Sequence, residues 1–178
     1  MMMITRVTNE DELKQILALQ QKNLLTGIPL AEKEKEGFVT VAHTLALLEQ
    51  MNKVCAHIIA KDQDKVVGYA LCMHVQFAEE IEILQPMFRE IETVLPKNEM
   101  YLVMGQICIE KAYRKMGIFR KLYETMANAV KLEYRHIITE VDAQNERSLQ
   151  AHYAVGFKDL KKYTSGGQDW KLIGLEAK

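Results

Sequence analysis

The sequence predicts an α+β (α/β) chain with a mixed central sheet of about seven strands flanked by about four helices. Three observations carry that expectation. Short β-rich runs alternate with amphipathic stretches of helical period along the 178 residues. Between residues 101 and 141 a strand passes through a glycine-bearing turn into an amphipathic helix and then a second strand, an order that requires a parallel pair. At the end, two β-rich runs about Ser165-Gly166-Gly167-Gln168 read as a hairpin.

Taken in order, Met3 to Thr8 reads as the first strand. Asn9-Glu10-Asp11-Glu12 then caps a helix that runs to about Asn23, with Leu13, Ile16, Leu17 and Leu19 on its apolar face. Gly27 and Pro29 break the chain, the charged run Glu32 to Glu36 follows as a solvated face, and a second helix is expected over Phe38 to Met51. Val54 to Lys61 and Val66 to Phe77 are strands joined by the turn formers Asp62-Gln63-Asp64-Lys65. A long connector, Glu79 to Glu99, holds a short helix around Met87 to Leu95 that ends before Pro96. Tyr101 to Ile109 is the fourth strand, Gly117 to Tyr134 a helix, and Ile137 to Val141 the fifth strand. Asn145 caps a helix to about Val155 that stops at Gly156, and Phe157 to Tyr163 with Asp169 to Leu175 close the chain.

Composition bounds the function. With 48% hydrophobic and 26% charged residues, one domain over residues 1–178 can bury a real core. Lys and Arg number 23 against 24 Asp and Glu, a formal charge of -1, which offers no global attraction to nucleic acid or to an anionic membrane. The opening Met1-Met2-Met3-Ile4-Thr5-Arg6 lacks the apolar centre of a signal peptide, and no run is long enough to span a bilayer, so a soluble, cytoplasmic protein is expected. Cys55, Cys72 and Cys108 sit among apolar residues without ligand spacing, and His43, His57, His74 and His136 are scattered, so neither disulfide nor metal is expected.

The most informative stretch is Ile107 to Leu122. Its strand, basic turn and helix form a phosphate cradle, because the first turn of a helix carries N–H groups with no internal partner and a partial positive charge. Arg114, Lys115 and Arg120 add formal charge on that side. The spacing Arg114-x-x-Gly117 with Ile118 and Phe119 after it resembles the coenzyme A loop of the GCN5-related N-acetyltransferase (GNAT) superfamily, Gln/Arg-x-x-Gly-x-Gly/Ala. Phe119 stands where the family has a small residue, so either the pyrophosphate shifts or the ring packs beneath the helix while the backbone still donates.

A second segment, Asn145 to Phe157, is similar to the family's Asn-x-x-Ala/Ser-(seven residues)-Gly-Phe, and the order of elements matches over nearly the whole chain. The resemblance implies the GNAT fold, acetyl-coenzyme A (acetyl-CoA) as cofactor, and contacts to it from Ile107, Cys108, Ile109, Arg114, Lys115, Met116, Gly117, Ile118, Phe119, Arg120 and Asn145. It also implies that backbone amides around Ile107 to Ile109 hydrogen-bond the pantetheine arm, and that the residue seven positions after Asn145, commonly a tyrosine, protonates the departing thiolate.

That position is His152 here, with Tyr153 next. Histidine can hold a proton near neutral pH, whereas tyrosine remains a donor throughout. Ser148 and His152 share one helix face and Leu149 and Tyr153 another, so only one of His152 and Tyr153 points at the sulfur; His152 is preferred. As base, Glu110 or Glu140 serves directly or through water. Cys108 on the cofactor strand raises an acetyl-cysteine route, but without a paired His and carboxylate to activate it, direct transfer in a ternary complex is expected.

The expected reaction is transfer of an acetyl group to a primary amine, of a small molecule rather than of a protein. Gly27 to Gly37 and the acidic Glu79 to Glu99 insert are the approaches for the acceptor, and Trp170 is core, acceptor wall or a contact in a homodimer. The alternative is a catalytically inactive acyl-CoA sensor or partner domain, for which Phe119 and the missing tyrosine at position 152 speak.

Overall fold

The computed structural model describes residues 2–24, 39 and 41–178. Its elements follow the predicted order: β1 (Met2–Arg6), α1 (Glu10–Asn23), α2 (Leu45–Val54), β2 (Ile58–Asp62), β3 (Lys65–Met73), α3 (Gln85–Val94), β4 (Tyr101–Ile109), α4 (Ile118–Val130), β5 (His136–Asp142), α5 (Glu146–Val155), β6 (Lys158–Ser165) and β7 (Gln168–Glu176). The seven strands form one mixed sheet in the order β1-β2-β3-β4-β5-β7-β6, and five α-helices lie among the described residues, against about four expected. The chain gathers into two compact units, Met1–Cys72 with Gly105–Thr125, and Met73–Met104 with Met126–Lys178.

In the first unit, Asn9 caps α1 by accepting the Glu12 N–H at 3.0 Å, and Glu12 reaches back to the Thr8 N–H at 2.8 Å. The helix buries Leu13, Ile16 and Leu19 against Leu48, Ile59, Val66, Tyr69, Leu71 and Cys108, while Leu17 is only half-buried. The expected helix over Phe38 to Met51 is corrected: α2 begins at Leu45, where Thr44 accepts the Leu47 N–H at 3.2 Å. Just before it, side chains claim the backbone groups a helix would use, with Gln106 donating to Val41 O and Gln20 accepting the His43 N–H. Residues 25–38, which hold the Gly27 break, the charged run and the Gly27 to Gly37 approach, lie outside the described residues.

One strand starts later and another stops earlier than expected. β2 begins at Ile58 because Cys55 still closes α2 with a bond to Met51 O, and β3 ends at Met73, after which His74 Nδ1 accepts the Gln76 N–H and turns the chain. In the second unit α4 ends at Val130, four residues short, where Glu133 and Tyr134 both donate to its carbonyl in a turn. β4 and β5 are parallel, as the crossover demands, but their ladder covers only Tyr101–Val103 against His136–Ile138. β7 then pairs antiparallel with β5 and β6, the latter through a turn with φ of +60° at Gly166 and +77° at Gly167.

Candidate functional site

In the first unit the last half of β4 changes character. Leu102 to Met104 are buried on both faces, whereas from Gly105 onward Gln106 and Cys108 point into the core and Gly105, Ile107 and Ile109 lie on a half-open face. Glu110 donates its backbone N–H to Val67 O, and its side chain pairs with Lys65 Nζ at 2.7 Å, so this candidate base is held in an ion pair.

The turn that follows is shaped by two left-handed residues. The φ angle is +64° at Lys115 and +75° at Gly117, with Met116 between them on the ordinary side. Alternation of this kind turns successive N–H groups toward one concavity. Lys115, Met116, Gly117 and Arg120 are exposed, and a Cβ built on Gly117 meets nothing within 4 Å. Lys121 donates its N–H to Gly117 O, which marks the first turn of α4 at this glycine. Ile118 anchors the helix start in the core.

Arg114, expected to add positive charge on the side of the cradle, bonds within the chain. Its Nε donates to Ile109 O at 3.0 Å and an Nη donates to Asn23 Oδ1 at 3.2 Å, so the guanidinium ties the turn to the end of β4 and to the last residue of α1. Phe119 is half-buried, with its ring edge-on to the fully buried Tyr123 one turn later at 5.2 Å. Burial pushes the Cys108 thiol up to about 11, partly countered by the Arg114 charge, which leaves it protonated and a poor nucleophile near neutral pH.

Beside β4 lies a buried polar group that periodicity alone does not reveal. Tyr69 donates its hydroxyl to Gln106 Oε1 at 2.6 Å, Gln20 Nε2 donates to the same oxygen at 2.8 Å, and Gln20 Nε2 also meets His43 Nδ1 at 2.8 Å. These bonds fix Gln106 on the core side, so that Ile107 and Ile109 face the other way.

In the second unit, Asn145 caps α5 by accepting the Ser148 N–H at 3.0 Å, so its side-chain oxygen serves the helix. Gly156 ends α5 with φ of +119° and donates to His152 O and Tyr153 O. His152 is buried, its Nδ1 bonded to Ser148 O at 2.7 Å and its ring edge-on to Phe157 at 5.1 Å. Burial pushes its pKa down to about 4, against a smaller upward pull from Ser148. The expectation of a histidine that holds a proton near neutral pH is therefore corrected: in the neutral ring Nδ1 carries the hydrogen that Ser148 O accepts. Tyr153 donates its hydroxyl to Asp159 and receives Lys171 Nζ at 3.1 Å, while Lys171 also holds Asp159 Oδ2 at 2.9 Å. Burial and the Asp159 carboxylate raise its pKa, so it stays protonated.

Glu140 stands out on β5. Its neighbours Ile137, Ile138, Thr139 and Val141 are buried, and burial pushes its carboxyl up to about 7. Tyr163 donates its hydroxyl to Glu140 Oε2. Pairing with Leu172 puts Glu140 on the same face as Lys161, which reaches Glu90 of α3 at 2.6 Å; Val141, Lys171 and Lys162 lie on the opposite face, where Lys171 meets Tyr153 of α5. A lone carboxylate inside an apolar strand was the signal available in the sequence.

A family model, the Acetyltransferase (GNAT) family, matches residues 23–157. The chain belongs to the GNAT acetyltransferase family. No curated protein matches the sequence. Among solved structures, an N-acetyltransferase from Staphylococcus aureus Mu50 is 18% identical, with 100% of this chain and 99% of that chain covered and a TM-score of 0.67. The yncA protein of Salmonella typhimurium, solved with acetyl-CoA, is 13% identical over 100% and 95% at a TM-score of 0.68. A chain of the NatC complex bound to Gag peptide and CoA is 15% identical over 98% of both, also at 0.68. These likenesses establish the GNAT fold.

A GNAT acetyltransferase takes its acetyl group from acetyl-CoA, and the turn before α4 fits that cofactor. A pyrophosphate needs convergent N–H donors and open space. The alternating φ angles and the uncovered Gly117 supply both, while exposed Lys115 and Arg120 bring positive charge. Among the described residues no cluster of three His, Cys, Asp or Glu could hold a metal ion, and no helix is long and apolar enough to cross a membrane.

Proposed function

We propose that residues 1–178 act as one domain that transfers an acetyl group from acetyl-CoA directly to a primary amine of a small molecule, with Glu140 as the base. The observation that carries this reading is the Glu140 carboxyl. It is set in an apolar strand and, at about 7, is poised between its two protonation states where an ammonium must give up a proton. Glu110, tied to Lys65, is the weaker candidate.

The residues that hold the cofactor are those of the turn, with backbone donors about Met116 and Gly117 for the pyrophosphate and the half-open face of Gly105, Ile107 and Ile109 for the pantetheine arm. When bound, acetyl-CoA supplies the acetyl group as a thioester. Glu140 lies on the α3 face of its strand, and exposed Glu79, Glu80 and Glu82 precede α3 while exposed Glu92 lies on it, which suits a cationic acceptor arriving from that side. The hydrogens of His152 and Tyr153 are committed to Ser148 O and Asp159, so we assign neither as the acid; a thiol of pKa about 8.5 needs little help to leave near neutral pH. The raised Cys108 thiol favours direct transfer over an acetyl-cysteine. Phe119, turned onto Tyr123, offers no support to the inactive alternative.

The test is calorimetric titration with acetyl-CoA, followed by a thiol-release screen over polyamines, arylethylamines, amino acids and short peptides. Binding with amine-dependent release, abolished by Glu140→Gln while binding persists, is the expected result. Binding with no turnover on any amine points to the sensor reading, and release without an amine points to a hydrolase.

A further inference from the structure

We infer that Tyr163 is a positioning residue for acetyl transfer, holding the Glu140 carboxylate in one rotamer and stabilising its ionised form through the hydrogen bond to Oε2. The inference rests on the reading of Glu140 as base. Its ground is geometric. Tyr163 belongs to β6, which pairs with β7 and not with β5, so its hydroxyl spans a whole intervening strand to reach Glu140. The registers Glu140–Leu172, Asp142–Trp170 and Tyr163–Trp170 put all of these side chains on one face, and Tyr163 is itself buried. A buried ring that donates its hydroxyl to one carboxylate oxygen restrains the three torsions of that glutamate side chain.

Other charged groups on this face do not supply the same service. Asp142 lies two residues along β5 and would oppose a second negative charge. Lys161 of β6, opposite Leu172, is held by Glu90 and Thr93 of α3. Tyr163 is thus the group, among the described residues bonded to Glu140, that favours the anion. An O–H donated to a carboxylate stabilises the charged form and lowers its pKa; burial works in the opposite sense. Removing the hydroxyl must therefore move Glu140 upward.

The experiment follows the carboxyl carbon of Glu140 by NMR in protein labelled with ¹³C-glutamate and saturated with coenzyme A, the signal being assigned by its loss in Glu140→Gln. Tyr163→Phe is expected to raise the midpoint by about one pH unit, the worth of one hydrogen bond to a charged group. The acid limb of kcat/KM on the best amine of the screen should move by the same amount, with the alkaline plateau retained. Fluorotyrosine at position 163, a stronger donor, should shift both the other way, which keeps the test intact if the phenylalanine variant folds poorly. An unmoved midpoint, or a uniform loss of rate at every pH, would overturn the inference. Full activity of Glu140→Gln would instead overturn the reading of Glu140 as base, and the two failures are distinguishable.

Discussion

Gly117 offers the sharpest test of the cofactor turn, because its backbone and its surroundings make separate demands. With φ at +75°, any L-residue there pays a left-handed penalty of roughly 1–2 kcal/mol. A methyl group itself clashes with nothing, since no atom lies within 4 Å of the built Cβ. Gly117→Ala is therefore expected to cost about that amount and no more. It appears as lower stability if the turn keeps its shape, or as roughly 5–30-fold weaker acetyl-CoA binding if the turn relaxes. Gly117→Glu adds a carboxylate facing the pyrophosphate. At an effective dielectric of about 20 and a separation of about 5.5 Å that repulsion is roughly 3 kcal/mol, or a further loss of about a hundredfold. Calorimetric titration with acetyl-CoA alongside thermal melting separates the two. If Gly117→Glu melts like the parent and binds acetyl-CoA equally well, the cofactor does not use this turn and the assignment is refuted.

Two further outcomes follow from buried groups. Cys108→Ala should keep amine-dependent turnover within a few-fold, because the thiol is protonated near neutral pH; loss of turnover with acetyl-CoA binding intact would revive a covalent route. The second concerns acid stability. His43, His57 and His152 each have a folded pKa that burial lowers to about 4 from an ordinary 6.5. The folded state thus resists protonation that the unfolded chain accepts, so these residues contribute stability that is complete above pH 6.5 and is lost as pH falls from there through 4. Melting temperature should decline across that window, and less steeply in His57→Gln if that variant folds; a flat profile would contradict the burial of these rings.

The order of elements, the caps at Asn9 and Asn145, the glycine stop at Gly156 and the two-glycine hairpin were legible because each is set by residues within a few positions of one another. Helix α2 was misplaced for the opposite reason. Its start depends on Gln106 and Gln20 taking up the backbone at Val41 and His43, and both partners are distant in sequence. The turn before α4 was readable as a phosphate cradle, but not that Arg114 would face inward to Ile109 O and Asn23.

By itself, then, the sequence determined the kind of fold and the glycine-bearing turn we propose for the coenzyme, since period, capping and a glycine at a strand-to-helix turn are local properties. Tertiary structure decided what each ionisable group can do. His152 is neutral because the fold buries it, Tyr153 is engaged because β6 and β7 bring Asp159 and Lys171 to it, and the Glu140 carboxyl is pushed up because the fold buries it, with Tyr163 reaching it across a strand. Solvation and long-range partners set a proton's affinity, and neither is written in the spacing of neighbouring residues.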